Sequence, residues 1–264
     1  MDAYLYFASR LQTLSGLDIL LYREEQMKRR LQDLCRLEGF AGLQELADRL
    51  EDLTLRKKVM TYLTINVSEF FRNPSLFNRL KEVYLPTLLK QNHPLRILSA
   101  GSSNGCEAYS LAIFLNELGV SSFEIIGIDF DRDCVLASRF GVYKEEHVKN
   151  VSPDRLQRYF TVTSDQNYQI NPEIKKNVHY RQGDLLAGRL PKETDLILCR
   201  NVMIYFSEEA KILLFQKFNQ ALKPGGYLFL GATETLFQSE RFGLKAVGPF
   251  FYQKGQDLSI VKRN

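Results

Sequence analysis

Nine residues, Ser99-Ala-Gly-Ser-Ser-Asn-Gly-Cys-Glu107, join an apolar run to a helical stretch, and their types suit the handling of a small polar ligand. Gly101 and Gly105 let the backbone turn tightly and pass close to a ligand at the carboxyl end of a sheet. The segment is not a Walker loop, because no Gly-Lys-Ser/Thr follows, and it lacks the G-x-G-x-x-G spacing of a dinucleotide site. A second apolar run ends in Gly127-Ile-Asp129-Phe-Asp131. An acid there can accept hydrogen bonds from both hydroxyls of a ribose, or it can cap the next helix. The glycine turn, the acid and the missing phosphate-binding lysine together favour an adenosine ligand without a pyrophosphate, which points to S-adenosylmethionine.

The whole chain bounds what can surround such a site. Its 264 residues, 45% hydrophobic and 25% charged, are enough for an enzyme domain plus a small module, and exclude a disordered or low-complexity protein. No run approaches the roughly 20 apolar residues of a membrane span, and MDAYLYFASR has no signal-peptide pattern, so export is not expected. Cys35, Cys106, Cys134 and Cys199 form no C-x-x-C pair, and His93, His147 and His179 are equally dispersed. Neither a metal site nor a disulfide framework is supported, and reduced thiols in the cytoplasm are expected. The net charge of +4 is too small to mark a nucleic-acid binder. Residues 1–72 carry 11 basic and 11 acidic side chains, so the excess lies in the remainder.

The elements that must position these residues are legible as hydrophobic periods. The segment from Leu21 to Phe40 has Leu21, Met27, Leu31, Leu34 and Leu37 near a 3.6-residue period and stops at Gly39, and the segment from Ala41 to Ile65 repeats the pattern. A small all-α N-terminal domain over 1–72 is expected. Beyond the break at 91–95, the runs RILSA, FEIIGID, DLILCR and GYLFLGA are short and continuously apolar, as parallel strands buried on both faces are. Helices are expected over 105–118 and 207–221, the second capped by Ser207, with Gly225-Gly226 turning into the next strand. The fold class is therefore α/β, a doubly wound Rossmann-like domain over 73–264. YFTV, YQI and VHYRQ, between Arg158 and Gln182, read as an inserted antiparallel β segment at about 158–182, and FGLKAV and FFYQK as a terminal hairpin.

Separated motifs then agree on one resemblance. Asn66-Val-Ser-Glu-Phe-Phe-Arg72 resembles the N-x-[ST]-x-F-[FY]-R stretch of the CheR family of chemotaxis-receptor glutamate methyltransferases. Gly105-Cys-Glu-Ala-Tyr-Ser110 resembles its G-E-E-P-Y-[ST] turn, and Cys199-Arg-Asn-Val-Met-Ile-Tyr-Phe206 its C-R-N-V-x-I-Y-F stretch. Lys223-Pro-Gly-Gly, Gly231-Ala-Thr-Glu and Arg158-Tyr-Phe160 also match family segments, so the resemblance spans essentially the full length. It implies a class I methyltransferase domain that binds S-adenosylmethionine, releases S-adenosylhomocysteine and uses no metal.

The resemblance also implies site residues. Glu107, the second acid of the family's turn, would meet the methionine ammonium group, and Asp129 the ribose. Asn66, Ser68, Arg72 and Gly101 would line the cofactor and methyl-transfer site, with Asp184, Leu185, Arg200 and Asn201 near its adenine and methionine parts. Position 184 is commonly Asn in the family. The first acid and the proline of the turn are replaced by Cys106 and Ala108, and methyl transfer from a sulfonium needs no thiol nucleophile. Arg72 and Tyr205 would orient a glutamate carboxylate as catalytic residues; by type alone, Arg72 also suits a helix cap and Tyr205 core packing. Arg23, Lys28, Arg29, Arg30 and Arg36 would help dock the acidic methylation helices of chemoreceptors, or form a solvated helix face. Some family members bind a receptor C-terminal peptide on the inserted β segment by strand addition. No nucleic-acid partner and no membrane insertion are expected. Alternatives are an N-methyltransferase of protein or nucleic acid, disfavoured by the lack of a D-P-P-Y or N-P-P-Y tetrad, and a non-catalytic S-adenosylmethionine-binding receptor module.

Overall fold

The computed structural model describes residues 2–64, 68–91 and 93–255. They cluster into two compact units: Met1–Asn66 with Met203–Leu213, and Val67–Val202 with Leu214–Asn264. The division precedes the expected break at Arg72 because Phe70 and Phe71 are buried in the core of the second unit.

The first unit is helical. Its helices are Ala3–Ser15, Glu24–Glu38, Leu43–Asp48 and Leu53–Leu63. Asp2 caps the first by accepting the Tyr4 N–H at 2.9 Å. Gly39 ends the second in the left-handed conformation, with φ +77°. The Ala41–Ile65 pattern is two helices rather than one, because Asp52 accepts the Thr54 N–H at 2.8 Å and restarts the helix there. Segment 203–213 joins this unit through an antiparallel bridge between Tyr22 and Phe206, whose rings meet edge-on at 5.1 Å. Ser207 accepts the Ala210 N–H at 3.2 Å, capping the helix Glu208–Ala221 as its sequence position suggested.

The second unit is built on a seven-stranded sheet. Its strands are β1 (Leu95–Ala100), β2 (Phe123–Asp129), β6 (Val178–Gln182), β7 (Thr194–Cys199), β8 (Leu222–Leu230), β9 (Leu244–Gly248) and β10 (Phe251–Lys254). Their order is β6-β2-β1-β7-β8-β10-β9, with β6 to β8 parallel and β9–β10 forming the expected terminal hairpin. β7 is buried at every residue, which explains why its sequence shows no alternation. Winding changes direction between β1 and β7, so the crevice at their carboxyl ends is a topological switch point, where α/β proteins place ligands. Lys223–Gly226 bulge out of the β7–β8 register, Gly225 at φ +80°.

The expected antiparallel insertion at about 158–182 has different bounds. β3 (Val142–Tyr143), β4 (Phe160–Val162) and β5 (Tyr168–Ile170) form a separate antiparallel sheet in the order β3-β5-β4. VHYRQ is not part of it: this segment is β6, parallel to β2 from Ile125↔Val178 to Asp129↔Gln182. The helical turn Pro172–Lys175 redirects the chain after β5, and Val178 and Tyr180 then bury on the main sheet. The insertion therefore starts before residue 158 and ends with β5.

Candidate active site

Sequence-local turns deliver every loop at the crevice. Gly101 donates its N–H to Ile128 O at 2.8 Å, and Gly105 caps the helix Cys106–Glu117 at φ +89°. Protein also packs closely against both glycines. A Cβ on Gly101 would collide with the Val202 side chain, and one on Gly105 would lie 2.6 Å from the Tyr180 hydroxyl. A side chain at either position would displace protein packed against the loop. Tyr180 Oη donates to Gly105 O at 3.2 Å and Tyr143 Oη to Asn104 O at 2.9 Å, pinning the turn from two buried aromatics.

Asp129 is buried and holds this loop to β2. Its carboxylate accepts the Ser103 N–H at 2.7 Å and the Asp131 N–H at 2.9 Å. The cap of the following helix is Asp131 instead, which accepts from Asp133 and Cys134. Burial pushes the Asp129 pKa up, against the pull of these N–H donors.

Glu107 stands on the first turn of its helix, where Ser99 Oγ donates to it at 2.8 Å and Arg200 Nη1 lies 3.4 Å away. Arg200 lies over the rings of Phe77 and Phe229, at 5.0 and 4.8 Å, and its Nη2 donates to Arg72 O at 2.8 Å and Asn73 Oδ1 at 2.9 Å. Burial raises the Glu107 pKa, with Arg200 opposing, and lowers that of Arg200. The Arg72 charge further disfavours protonated Arg200.

The Ser68–Arg72 segment is anchored at several points. Phe71, at φ +51°, donates its N–H to Ser110 Oγ at 2.9 Å, and Phe70 donates to His147 O at 2.9 Å. Phe70 meets Tyr143 and Phe160 of the small sheet edge-on, at 4.8 and 5.1 Å. Ser68 borders the Cys106 thiol, whose burial keeps it far above the ordinary thiol pKa and unsuited to nucleophilic work. Cys199 is likewise buried and raised.

Of the expected site residues, Ser68, Arg72, Gly101, Glu107, Asp129, Asp184, Leu185, Arg200 and Asn201 all belong to the second unit, and Asn66 lies outside the described residues. Asp184 Oδ1 accepts the Leu186 and Ala187 N–H groups at 2.7 and 3.3 Å and shapes its own turn. That turn adjoins Asp129, whose carbonyl accepts the Gly183 N–H at 2.9 Å, and contains buried Leu185.

Tyr205 is in the first unit, where its carbonyl accepts the Arg23 N–H at 2.9 Å. The basic cluster is not uniform. Lys28 pairs with Glu24 at 2.5 Å, Arg36 pairs with Asp33, and Arg30 donates to Tyr62 O while stacking on the Tyr62 ring. Arg23 and Arg29 are exposed and make no ion pair among the described residues.

Sequence reasoning gave Glu234 no role. It accepts the N–H groups of Asn201, Val202 and Gly231. The available signal was an acid just after the apolar β8 run, the same pattern that marked Asp129 after β2.

The site's chemistry fits S-adenosylmethionine. Asn201 Oδ1 and Ser102 Oγ are buried with no partner among the described residues, so the crevice loops supply polar groups that a polar ligand would satisfy. Glu107 offers an ammonium group a buried anion, and Asp129 has lone pairs left for hydroxyl donors. No cluster of metal-ligating side chains occurs among the described residues. No helix of the described residues is long and apolar enough to cross a membrane.

An open, mostly parallel seven-stranded sheet with this switch-point crevice and an antiparallel hairpin at one edge is the fold of a class I S-adenosylmethionine-dependent methyltransferase. Residues 66–247 match the family model "CheR methyltransferase, SAM binding domain". The chain is 35% identical over 254 residues to the chemotaxis protein methyltransferase of Listeria monocytogenes, covering 95% of this chain and 97% of that protein. It is 36% identical over 220 residues to chemotaxis protein methyltransferase 1 of Pseudomonas aeruginosa, covering 78% and 80%, and 30% identical to the Borreliella burgdorferi chemotaxis protein methyltransferase, covering 90% and 89%. The chain belongs to the CheR methyltransferase family.

Proposed function

We propose that this protein transfers a methyl group from S-adenosylmethionine to glutamate side-chain carboxylates on the cytoplasmic methylation helices of chemoreceptors, giving glutamate methyl esters and S-adenosylhomocysteine. The observation that carries the reading is the contact of Arg200 with both Glu107 and the Arg72 backbone, at 3.4 and 2.8 Å. Arg72 thereby stands beside the pair assigned to the cofactor's methionine end, where its guanidinium suits an anionic acceptor.

Bound S-adenosylmethionine supplies an electrophilic methyl group. Glu107 holds the ammonium end and Asp129 the ribose hydroxyls, with Asn201 Oδ1 as a further acceptor. Ser68, Gly101 and Leu185 line the same site. A glutamate carboxylate has a reference pKa of about 4.3 and is ionised near neutrality, so no general base is required. The protein's task is to orient the carboxylate and exclude water from it, with Arg72 as a charged fork. A receptor C-terminal peptide would extend the small sheet at β4, whose Thr161 and Val162 are exposed.

The test is transfer of labelled methyl groups from S-adenosylmethionine to membranes containing chemoreceptors of the same organism, followed by alkaline treatment. Volatile methanol that disappears in Asp129→Ala supports carboxyl methylation through this site. Label that is stable to alkali indicates nitrogen methylation, and cofactor binding without transfer indicates a sensor.

A further inference from the structure

Three backbone N–H groups from two loops converge on one buried carboxylate. Glu234 Oε2 accepts from Asn201 and from Gly231, each at 2.7 Å, and Oε1 accepts from Val202 at 2.9 Å. The Glu234 N–H donates back to Gly231 O at 2.9 Å, closing a tight turn after β8. Glu234 is 5% exposed. A Cβ on Gly231 would lie 2.5 Å from Glu234 Oε2 and 2.8 Å from the Asn201 nitrogen, so the carboxylate fills the space that any side chain at 231 would need.

What this carboxylate holds is a left-handed turn. Asn201 sits at φ +59°, a conformation uncommon for residues with a side chain but one that asparagine tolerates, and the Glu234 carboxylate caps the N–H groups that the turn points at it. Arg200 precedes it and reaches Glu107; Val202 follows it and covers Gly101. The exit of β7 therefore has its two flanks committed to the cofactor crevice, and its geometry is set from β8.

We propose that Glu234 is a positioning residue for the cofactor: its carboxylate holds the Arg200–Val202 turn in the conformation that aims Arg200 at Glu107 and leaves Asn201 Oδ1 for a ligand. This role rests on the methyltransferase reading. Glutamine in its place keeps one acceptor but turns an N–H donor toward N–H donors, and aspartate falls one methylene short.

The experiment compares wild type, Glu234→Gln, Gly231→Ala and a core control, Leu214→Ala, which alters a buried residue outside the crevice loops. The readouts are calorimetric affinity for S-adenosylhomocysteine, amide hydrogen exchange at Asn201 and Val202, thermal midpoint, and KM for S-adenosylmethionine against kcat. Glu234→Gln should weaken S-adenosylhomocysteine binding about tenfold or more, raise KM to match with a much smaller change in kcat, and speed exchange at both amides. Leu214→Ala should lower the midpoint without these effects. Affinity within about twofold of wild type, or a loss no greater than in the control at equal midpoint, overturns the proposal. Unchanged amide exchange in a protein that binds S-adenosylhomocysteine overturns the clamp alone. A wild type without affinity overturns the methyltransferase reading and this role together, while exchange still shows whether the turn depends on Glu234.

Discussion

Arg200 and Glu107 form an ion pair across the crevice, Nη1 to Oε2 at 3.4 Å, although 93 positions separate them in the chain. The Arg200 side chain is 2% exposed and that of Glu107 14%, so each is the other's main compensation for lost hydration. Removing one partner of such a pair typically costs about 3–5 kcal/mol, because a buried charge is left behind.

The raised Glu107 pKa makes cofactor binding a proton-linked event. Burial lifts it above the ordinary 4.5, so just above that pH the free protein still holds a proton that the unfolded chain has lost. The sign follows: the free fold gains stability as pH falls toward 4.5, whereas a ligand ammonium group favours the ionised form and expels the proton. S-adenosylhomocysteine affinity should rise with pH from about that value and level off once Glu107 is ionised in the free protein. Calorimetry in two buffers of different ionisation enthalpy reads the proton directly. Binding with no proton release in this window, or a release that persists in Glu107→Gln, would count against the assignment.

Arg72→Ala should separate chemistry from binding. If this side chain orients the acceptor carboxylate, the variant lowers kcat for receptor methylation by about ten- to a hundredfold with a much smaller change in S-adenosylhomocysteine affinity. The opposite pattern, weak binding with normal turnover at saturation, would reassign Arg72 to the cofactor.

Gly101→Ala should destabilise the fold as well as the site. Its φ of +74° is unfavourable for alanine, and the added methyl meets Val202. Left-handed strain and overpacking together cost about 2–4 kcal/mol, which urea denaturation would report as a lower midpoint at constant m-value. A change below about 0.5 kcal/mol would mean that the β1 and β7 exits are not packed as described.

The basic residues of the first unit should divide into two groups. Arg29 and Arg36 are exposed two turns apart on the helix Glu24–Glu38, and reversing both charges should lower kcat/KM for receptor membranes and flatten its salt dependence. Arg30→Ala should instead lower stability by about 1–2 kcal/mol, since its guanidinium bonds Tyr62 O and stacks on that ring. Salt-independent catalysis in wild type would remove the steering role.

Local pattern carried much of this architecture. Continuous apolar runs marked β1, β2, β7 and β8 because strands covered on both faces need no polar side, and Gly39 and Ser207 marked helix ends because backbone conformation and capping are short-range. The acid after β2 and the glycine turn after β1 pointed to the ligand class for the same reason. VHYRQ was misplaced because an edge strand beside β2 and a strand in a small hairpin share one short pattern, and only the turn at Pro172–Lys175 distinguishes them. Residue types and local spacing thus determined which side chains this protein could bring to a cofactor and which segments would be buried. The tertiary structure alone decided which of them meet: Arg200 with Glu107, Glu234 with the Asn201 turn, Val202 with Gly101. Those pairings join exits of different strands, and strand order in a sheet is set by the packing of the whole unit rather than by any stretch of it.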